Sequence, residues 1–383
     1  MPAAAGTRPG VLFDQGPLSG GTLFCEPCEI IRAETPGEVR TAFDAIERLR
    51  RQGKWLAGYA SYELGYLITD RLTPLLPTRR QEPLLLFGAF DGPSALTTPP
   101  HEAVQGPVLS NFTPDWDFTR YREAFDRVHA YISAGDIYQA NLTFPLTARV
   151  SGTPYELYRR LCAVQPVPHG AFVDLGGPVL LSRSPELFFR IDALGRAETL
   201  PMKGTLPRYG DPVEDADRRE RLAKDPKNRA ENLMIVDLLR NDLSRVAEVG
   251  SVRVPALFRV ETFATVHQMT SRVVAKLRDG WCFQALCEAL FPCGSVTGAP
   301  KIRAMEIIRE LEPCPRGAYC GAIGWISPSG AMEFSVAIRT LVLPGDGTAR
   351  LNVGGGIVHD STAETEYEEA LWKTRFATSL STT

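Results

Sequence analysis

Several features that would fix a protein class are missing from this chain of 383 residues. No apolar run reaches the roughly 20 residues that a helix needs to cross a bilayer, and residues 1–10 lack the apolar core of a secretion signal. Charge of one sign is not in excess, because the formal net charge is -3 and Lys and Arg are scattered. We therefore expect a cytoplasmic protein that binds neither membrane nor nucleic acid.

Paired cysteines are also scarce. Cys25 and Cys28 form a lone C-x-x-C, and no second pair follows at the spacing of a zinc site. We predict reduced, mostly buried thiols rather than a metal or redox site.

The chain does contain blocks of helix-like and strand-like segments. Apolar residues after Asp117 recur at helical spacing and lie on one face: Phe118, Tyr121, Phe125, Val128 and Ile132. Runs such as GAFVDL and FSVAIRTLVL, with Gly or Pro between them, have the spacing of hairpins. Because the helices and strands alternate in blocks and not as regular βαβ units, the sequence predicts an α+β fold with antiparallel sheets.

Two predicted helices carry carboxylates that could form a cation site. Glu231 lies near the start of one helix, while Glu366 and Glu369 are three residues apart and share a face of another. Carboxylates with several waters suit Mg2+. The alternative is an acidic, solvated helix surface, which the segment ETEYEE by itself favours.

Two glycine-containing turns could receive an anion. In NVGGGIVHDS, the bare backbone at Gly354 and Gly355 can approach a ligand and donate N–H groups to a carboxylate. In GSVTGAPKIRAMEII, Pro300 lies just inside a helix start, with Ser295 and Thr297 upstream. Ordinary tight loops are the alternative for both turns.

Three cationic or titratable residues stand out. Arg339 lies within an apolar strand, where it needs either a ligand carboxylate or a structural ion pair. His267 lies among small and apolar residues, as a core histidine often does. Lys203, in ETLPMKGTLPR, lies on a turn-prone segment with apolar neighbours, which a surface lysine does not need. Together with the carboxylates, these residues suggest a site for a small, doubly anionic molecule and a metal.

Eight motifs occur in one order: DIYQANLTFPL, SRSPELFF, PMKGTLPR, NRAENLMIVDLLRNDLSRV, GSVTGAPKIRAMEIIRELEP, RGAYCGAIGWI, AIRTL and GGGIVHDSTAETEYEEA. This order resembles the chorismate-utilising enzyme family, and within it the branch that forms aminodeoxychorismate. The resemblance is dense from about Asp117 to Phe376. It implies an α/β sandwich in which two antiparallel sheets pack face to face, with helices outside and the active-site cleft between the sheets. Residues 1–110 would form a variable N-terminal portion of this fold, and residues 111–383 its chorismate-binding catalytic portion.

The resemblance also implies roles for individual residues. Glu231 and Glu369 match the Mg2+ ligands, and Glu366 would lie close to the ion through a water. Arg339 and Tyr319 match the positions that hold the enolpyruvyl carboxylate of chorismate.

Further roles follow in the same way. Gly354 and Gly355 match backbone donors to a substrate carboxylate, and Thr297 is expected beside the substrate. Lys373 matches a lysine near the metal-bound carboxylate. His267 resembles the histidine placed near the departing hydroxyl.

Lys203 distinguishes the branches, since the anthranilate-forming branch carries alanine there. An amine attacks only when it is uncharged, which a partly desolvated site beside cations favours. The resemblance implies that Lys203 attacks ring C2 while the C4 hydroxyl leaves with help from His267, and that ammonia then adds at C4. Alternatively, Lys203 merely pairs with a carboxylate.

Two positions refine the expectation. Gln139 stands where water-adding relatives carry lysine, and an amide cannot activate water as a base. Asn228 stands where some relatives carry another glutamate. No glutaminase motif is found, so a separate glutamine amidotransferase subunit is expected to deliver ammonia. The rival interpretations are an anthranilate-forming enzyme and a catalytically silent scaffold for the glutaminase.

Overall fold

The computed structural model describes residues 10–96, 109–262 and 266–380. Within these ranges, twenty strands form two antiparallel sheets of ten strands each. A connector predicted from Pro, Gly, Ser and Asn content spans Thr97–Trp116, and its residues 97–108 lie outside the described ranges. No helix in the described part of the chain is both long enough and apolar enough to span a membrane.

The first sheet has the spatial order β16-β8-β20-β19-β10-β9-β1-β2-β6, with β7 paired to β8; strands are numbered along the chain. Its strands are β1 (Gly10–Phe13), β2 (Thr22–Cys25), β6 (Ser94–Ala95), β7 (Thr113–Pro114), β8 (Gln139–Arg149), β9 (His169–Asp174), β10 (Val179–Ser184), β16 (Gly298–Ala299), β19 (Thr340–Leu343) and β20 (Thr348–Ile357).

The second sheet has the order β13-β15-β12-β11-β18-β17-β4-β5-β3, with β14 paired to β15. Its strands are β3 (Glu29–Ala33), β4 (Trp55–Ala60), β5 (Leu85–Phe90), β11 (Leu187–Ile191), β12 (Arg196–Thr199), β13 (Met202–Pro207), β14 (Arg253–Thr262), β15 (Val266–Lys276), β17 (Ala322–Ile326) and β18 (Met332–Val336). The N-terminal segment contributes to both sheets, because β1 pairs with β9 and β4 pairs with β17.

Helices cover the outer faces of the sheets. They are α1 (Pro36–Arg51), α2 (Phe118–Ser133), α3 (Pro154–Val164), α4 (Pro212–Lys224), α5 (Pro226–Ser244), α6 (Phe283–Leu290), α7 (Lys301–Leu311), α8 (Ala363–Trp372) and α9 (Arg375–Thr378). The helix predicted after Asp117 is confirmed, and it buries Tyr121, Phe125 and Val128 against the first sheet.

Side chains from both sheets meet in one apolar layer. Phe24, Tyr59, Leu86 and Phe90 are fully buried there together with Leu180. Each such side chain contributes about 1.5–3 kcal/mol when fully buried. The predicted architecture of two face-packed antiparallel sheets with outer helices is therefore confirmed.

The cysteine prediction is confirmed only in part. All eight cysteines are free thiols, but only four are buried, namely Cys162, Cys287, Cys293 and Cys320. Cys25 and Cys28 are exposed, because they flank the crossover between β2 in one sheet and β3 in the other.

Candidate active site

A cavity of about 640 Å³ opens between the two sheets. Its lining comes from β13 and β15 of the second sheet, from β20 of the first, and from helices α5 and α8. Lys203, Glu231, Arg339, Glu366 and Glu369 all line it. This volume is in the usual range for small-molecule sites, which is about 300–1,000 Å³.

The acidic wall is built by two capped helices. Helix α5 begins after Asp225, whose carboxylate accepts the N–H of Asn228 at 2.7 Å, and it carries Glu231 one turn further on. Helix α8 carries Glu366 and Glu369 on its cavity face. Glu231, Glu366 and Glu369, which the sequence predicts as one cation site, all line this cavity.

The pKa values of the two carboxylates on α8 shift in opposite directions. Burial and the charge of Glu369 raise the pKa of Glu366, against a 2.7 Å hydrogen bond from the Ser361 hydroxyl. Burial also opposes ionisation of Glu369, but the charges of Lys373 and Lys203 outweigh it and lower the pKa of Glu369. Lys373 Nζ lies 2.9 Å from Glu369 Oε1.

The donor set is suited to Mg2+ but is not a closed cage. Across residues 10–96, 109–262 and 266–380, no group of three or more His, Cys, Asp or Glu is close enough together to hold a metal. Mg2+ needs only one or two protein carboxylates, since waters and an anionic ligand complete its shell. Glu231 and Glu369, facing one cavity, meet that requirement.

The half-buried Arg339 also lines the cavity. The Arg339 guanidinium makes no ion pair with any described residue. Burial lowers the pKa of Arg339, and the nearby Glu186 acts in the opposite direction. Tyr319 lines the same region, is only 5% exposed, and has a pKa that burial raises well above its usual value. Such an arginine can bind a ligand carboxylate through two parallel hydrogen bonds.

Lys203 projects into this cavity from an irregular strand. The register between β13 and β15 shifts between Met202 and Thr205, and Gly204 has a φ of +77°. The charge of Lys203 acts on both Glu186 and Glu369, which places the amine among the carboxylates. Lys203 therefore lines the cavity, as its unusual sequence context suggested, and is not an ordinary surface lysine.

The glycine run forms a bare strand edge. The paired register of β19 with β20 ends with Leu341 opposite Leu351, so the cavity-facing edge of β20 beyond that point is free of strand partners among the described residues. Gly354, Gly355 and Gly356 lie on this stretch and line the cavity. A Cβ on Gly355 would come within 3.0 Å of Glu366 Oε2. Backbone N–H groups can therefore meet a ligand next to the acidic wall.

His267 does not reach the cavity. It is 1% exposed, its Nε2 lies 2.9 Å from Asp215 Oδ1, and its Nδ1 lies 3.0 Å from the Thr262 hydroxyl. Its neighbours Val266 and Gln268 line the cavity, and side chains alternate along a strand, so His267 faces the opposite side of β15. The expectation that it lies near a departing hydroxyl is therefore corrected.

The expectation that Thr297 lies beside the substrate is also wrong. It is fully buried, and its hydroxyl donates to the carbonyls of Cys293 at 3.1 Å and Gly294 at 3.2 Å. These bonds close the turn before α7. Its hydroxyl is thus used within the turn and does not line the cavity.

Several cavity residues were not predicted, among them Glu186, Lys227 and Gln268. Glu186 is fully buried, and burial raises its pKa to about 7, although the Ser295 hydroxyl hydrogen bond and the charges of Lys203 and Arg339 pull it down. Arg339 was identified because it is a charged residue within an apolar run. Glu186 directly precedes the apolar run LFF and could have been identified in the same way. Lys227 precedes Glu231 by one helical turn, and that spacing could have found it.

Gln139 lies behind the glycine edge. It is fully buried, and neither of its amide atoms has a hydrogen-bond partner among the described residues. A Cβ on Gly356 would lie 2.9 Å from Gln139 Nε2 and 3.4 Å from Lys203 Nζ. The Gln139 amide and the Lys203 amine therefore both lie close to Gly356.

A two-sheet sandwich whose cleft combines carboxylates, lysines and a half-buried arginine defines an enzyme class that acts on a small anionic substrate. The pattern of the chorismate binding enzyme family matches residues 24–379, and the chain belongs to that family. A solved structure of anthranilate synthase component I from Streptococcus pneumoniae TIGR4 is similar to it, with a TM-score of 0.78 at 25% identity. That similarity covers 99% of this chain and 93% of the other.

Two curated relatives illustrate the branches. Aminodeoxychorismate synthase component 1 of Klebsiella aerogenes is 47% identical over 278 residues, which cover 71% of this chain and 61% of that protein. Anthranilate synthase component 1 of Streptomyces coelicolor is 42% identical over 290 residues, which cover 75% and 55%. The chain therefore spans less than two thirds of the length of either relative.

Proposed function

We propose that the chain converts chorismate and ammonia into 4-amino-4-deoxychorismate, a precursor of para-aminobenzoate and folate. The observation that carries the proposal is the position of Lys203, whose amine shares one cavity with Arg339 and the carboxylates of α5 and α8. The name of the Klebsiella aerogenes relative, at 47% identity, supports the same branch.

The cavity offers donors for both carboxylates of chorismate. Arg339 and Tyr319 would bind the enolpyruvyl carboxylate, because a half-buried guanidinium without an ion-pair partner among the described residues can bind an anion through two hydrogen bonds. The ring carboxylate would lie against the backbone of Gly354 and Gly355, with Lys373 beside it.

We propose Mg2+ as the cofactor, held by Glu231 and Glu369, with Glu366 acting through a water. When bound, the ion would draw electron density from the ring toward its carboxylate and make C2 more electrophilic. The charge of Lys373, whose Nζ lies 2.9 Å from Glu369 Oε1, favours the ionised form of this ligand.

Lys203 then displaces the ring hydroxyl. Its uncharged Nζ forms a bond to C2, the C1=C2 pair moves to C1–C6, the C5=C6 pair moves to C4–C5, and the C4–O bond breaks. Glu186 supplies a proton to the departing oxygen, which leaves as water. Because burial raises the pKa of Glu186 to about 7, a protonated fraction persists near neutral pH. His267 takes no part in this step, since it faces Asp215.

Ammonia completes the exchange. It adds at C4, and the electron pair of the C2–N bond returns to Lys203. The Glu186 carboxylate takes up a proton from the new ammonium group, so both side chains finish as they began. Gln139 beside Lys203 cannot deprotonate water, which favours ammonia as the nucleophile.

We propose that a separate glutamine amidotransferase supplies the ammonia. The designation "component 1" of the Klebsiella aerogenes relative supports a second component for that protein.

A product assay tests the proposal. The purified chain is incubated with chorismate, Mg2+ and ammonium, and the product is identified by mass. 4-Amino-4-deoxychorismate is expected. Anthranilate would instead place the chain with the anthranilate-forming alternative, and unchanged chorismate would favour a scaffold that only docks the glutaminase. A Lys203→Ala variant is the matched control.

A further inference from the structure

Two carboxylates from the N-terminal portion hold three consecutive backbone amides. Glu63 Oε1 accepts the N–H of Arg316 at 2.7 Å, and Glu63 Oε2 accepts that of Gly317 at 3.0 Å. Glu82 Oε2 accepts the N–H of Ala318 at 2.5 Å. Glu63 is 1% and Glu82 is 4% exposed, so little water competes for these bonds. A buried amide that loses such an acceptor is left without a hydrogen-bond partner, which is costly.

The shape of the segment depends on this approach. Gly317 has a φ of +63°, and a Cβ there would lie 1.8 Å from Glu82 Oε2. Its carbonyl accepts the N–H of Tyr62 at 2.8 Å, so the chain around Glu63 contacts the segment twice. Arg350 pairs with the other oxygen of Glu82. Only glycine fits at position 317 while both carboxylates stay in place.

The held segment ends at the cavity. Tyr319, which lines it, directly follows the three amides. The Arg316 guanidinium donates to the carbonyl of Asn141 at 2.6 Å and to that of Val296 at 2.8 Å, and both residues also line the cavity. A displacement of residues 316–318 would therefore move three parts of the cavity wall together.

We propose that Glu63 is a positioning residue for the substrate: by binding the amides of Arg316 and Gly317, it fixes Tyr319 and the Asn141 and Val296 wall for the substrate carboxylate. This inference rests on the proposed function. It links residues of the N-terminal portion to substrate affinity, although no side chain of Glu63 or Glu82 lines the cavity itself. A purely structural role would instead stabilise the fold without favouring substrate binding.

Glu63→Gln and Glu63→Ala are compared with wild type, with Glu333→Gln as the control. Gln has the same shape and retains one acceptor oxygen, so it keeps one of the two amide bonds, whereas Ala keeps neither. Glu333 is a largely buried carboxylate paired with His169 and Arg190, and it does not line the cavity. Each variant is examined by amide hydrogen exchange and by steady-state kinetics with chorismate.

Exchange protection at residues 316–318 should fall by about tenfold to a hundredfold in Glu63→Ala and by less in Glu63→Gln, as expected when buried amides lose their acceptors. KM for chorismate should rise in the same order while kcat changes much less. The control should alter neither quantity. Variants that lose protection at these amides but keep the wild-type KM, or in which kcat and KM change only as the melting temperature falls, would overturn the positioning role.

The two proposals fail in different ways. A wild-type chain that leaves chorismate unchanged overturns the proposed function. A wild-type chain that turns over chorismate, with Glu63→Gln variants that share its KM, overturns the positioning role alone. If Glu63→Ala does not fold, the isosteric Gln variant still decides the question.

Discussion

Replacing Glu186 with Gln should change both stability and the pH dependence of catalysis. Burial raises the pKa of Glu186 from 4.5 to about 7, which corresponds to about 3 kcal/mol against the ionised form. The folded protein therefore holds this proton to a higher pH than the unfolded chain does. The contribution of Glu186 to wild-type stability should be fully present below the ordinary glutamate pKa and should be lost as the pH rises to about 7. Glu186→Gln lacks this loss.

Urea unfolding at about pH 4 and about pH 8 measures the effect, since the stability of wild type relative to Glu186→Gln should fall by about 3 kcal/mol between them. In kinetics, kcat/KM of wild type should decline above about pH 7 as Glu186 loses its proton. The Glu186→Gln variant should be about 10²–10⁴-fold slower, and its kcat/KM should not show this decline. Glu333→Gln is the control, because His169 and Arg190 overcome burial and lower the pKa of Glu333. A variant that keeps the limb, or a stability difference that is constant with pH, would refute the reasoning.

Three further substitutions separate the roles of the site residues. Lys203→Ala should lower kcat by at least about 10³-fold and leave substrate binding largely intact, whereas near-normal turnover would reduce Lys203 to a charge partner. Arg339→Gln should raise KM for chorismate by about tenfold to a hundredfold, and an unchanged KM would exclude a carboxylate contact. His267→Gln should lower the free energy of unfolding by about 1–3 kcal/mol, since it leaves Asp215 without its imidazole partner. His267→Gln should leave the pH profile of kcat unchanged. A variant whose pH profile loses one of the wild-type declines would show that His267 takes part in catalysis.

Helical spacing and the cost of burial predicted much of the site from the sequence. Glu366 and Glu369 share a helix face because they are three residues apart, and Arg339 needs a partner because it lies in an apolar strand. The face of a strand on which a given side chain lies was harder to predict. A shift of one residue exchanges the two faces of a strand, so His267 and Gln268 could not be told apart without the pairing of β15 with its neighbours.

Contacts between distant segments also lay beyond the sequence pattern. Thr297 is used by a turn whose hydrogen bonds depend on the local backbone, which the motif GSVTGAP does not specify. The Glu63 contacts join residues that are more than 250 positions apart, and no local periodicity reports them.

Mass spectrometry of a Lys203 adduct tests the central claim most directly. The purified chain is incubated with chorismate and Mg2+ in the absence of ammonia, quenched, digested and searched for modified peptides. We predict that the peptide containing Lys203 gains the mass of chorismate less one water, and that ammonium removes this modification as product appears. A chain that forms aminodeoxychorismate at full rate, with no adduct on Lys203 in wild type and with full turnover in Lys203→Ala, would contradict the account.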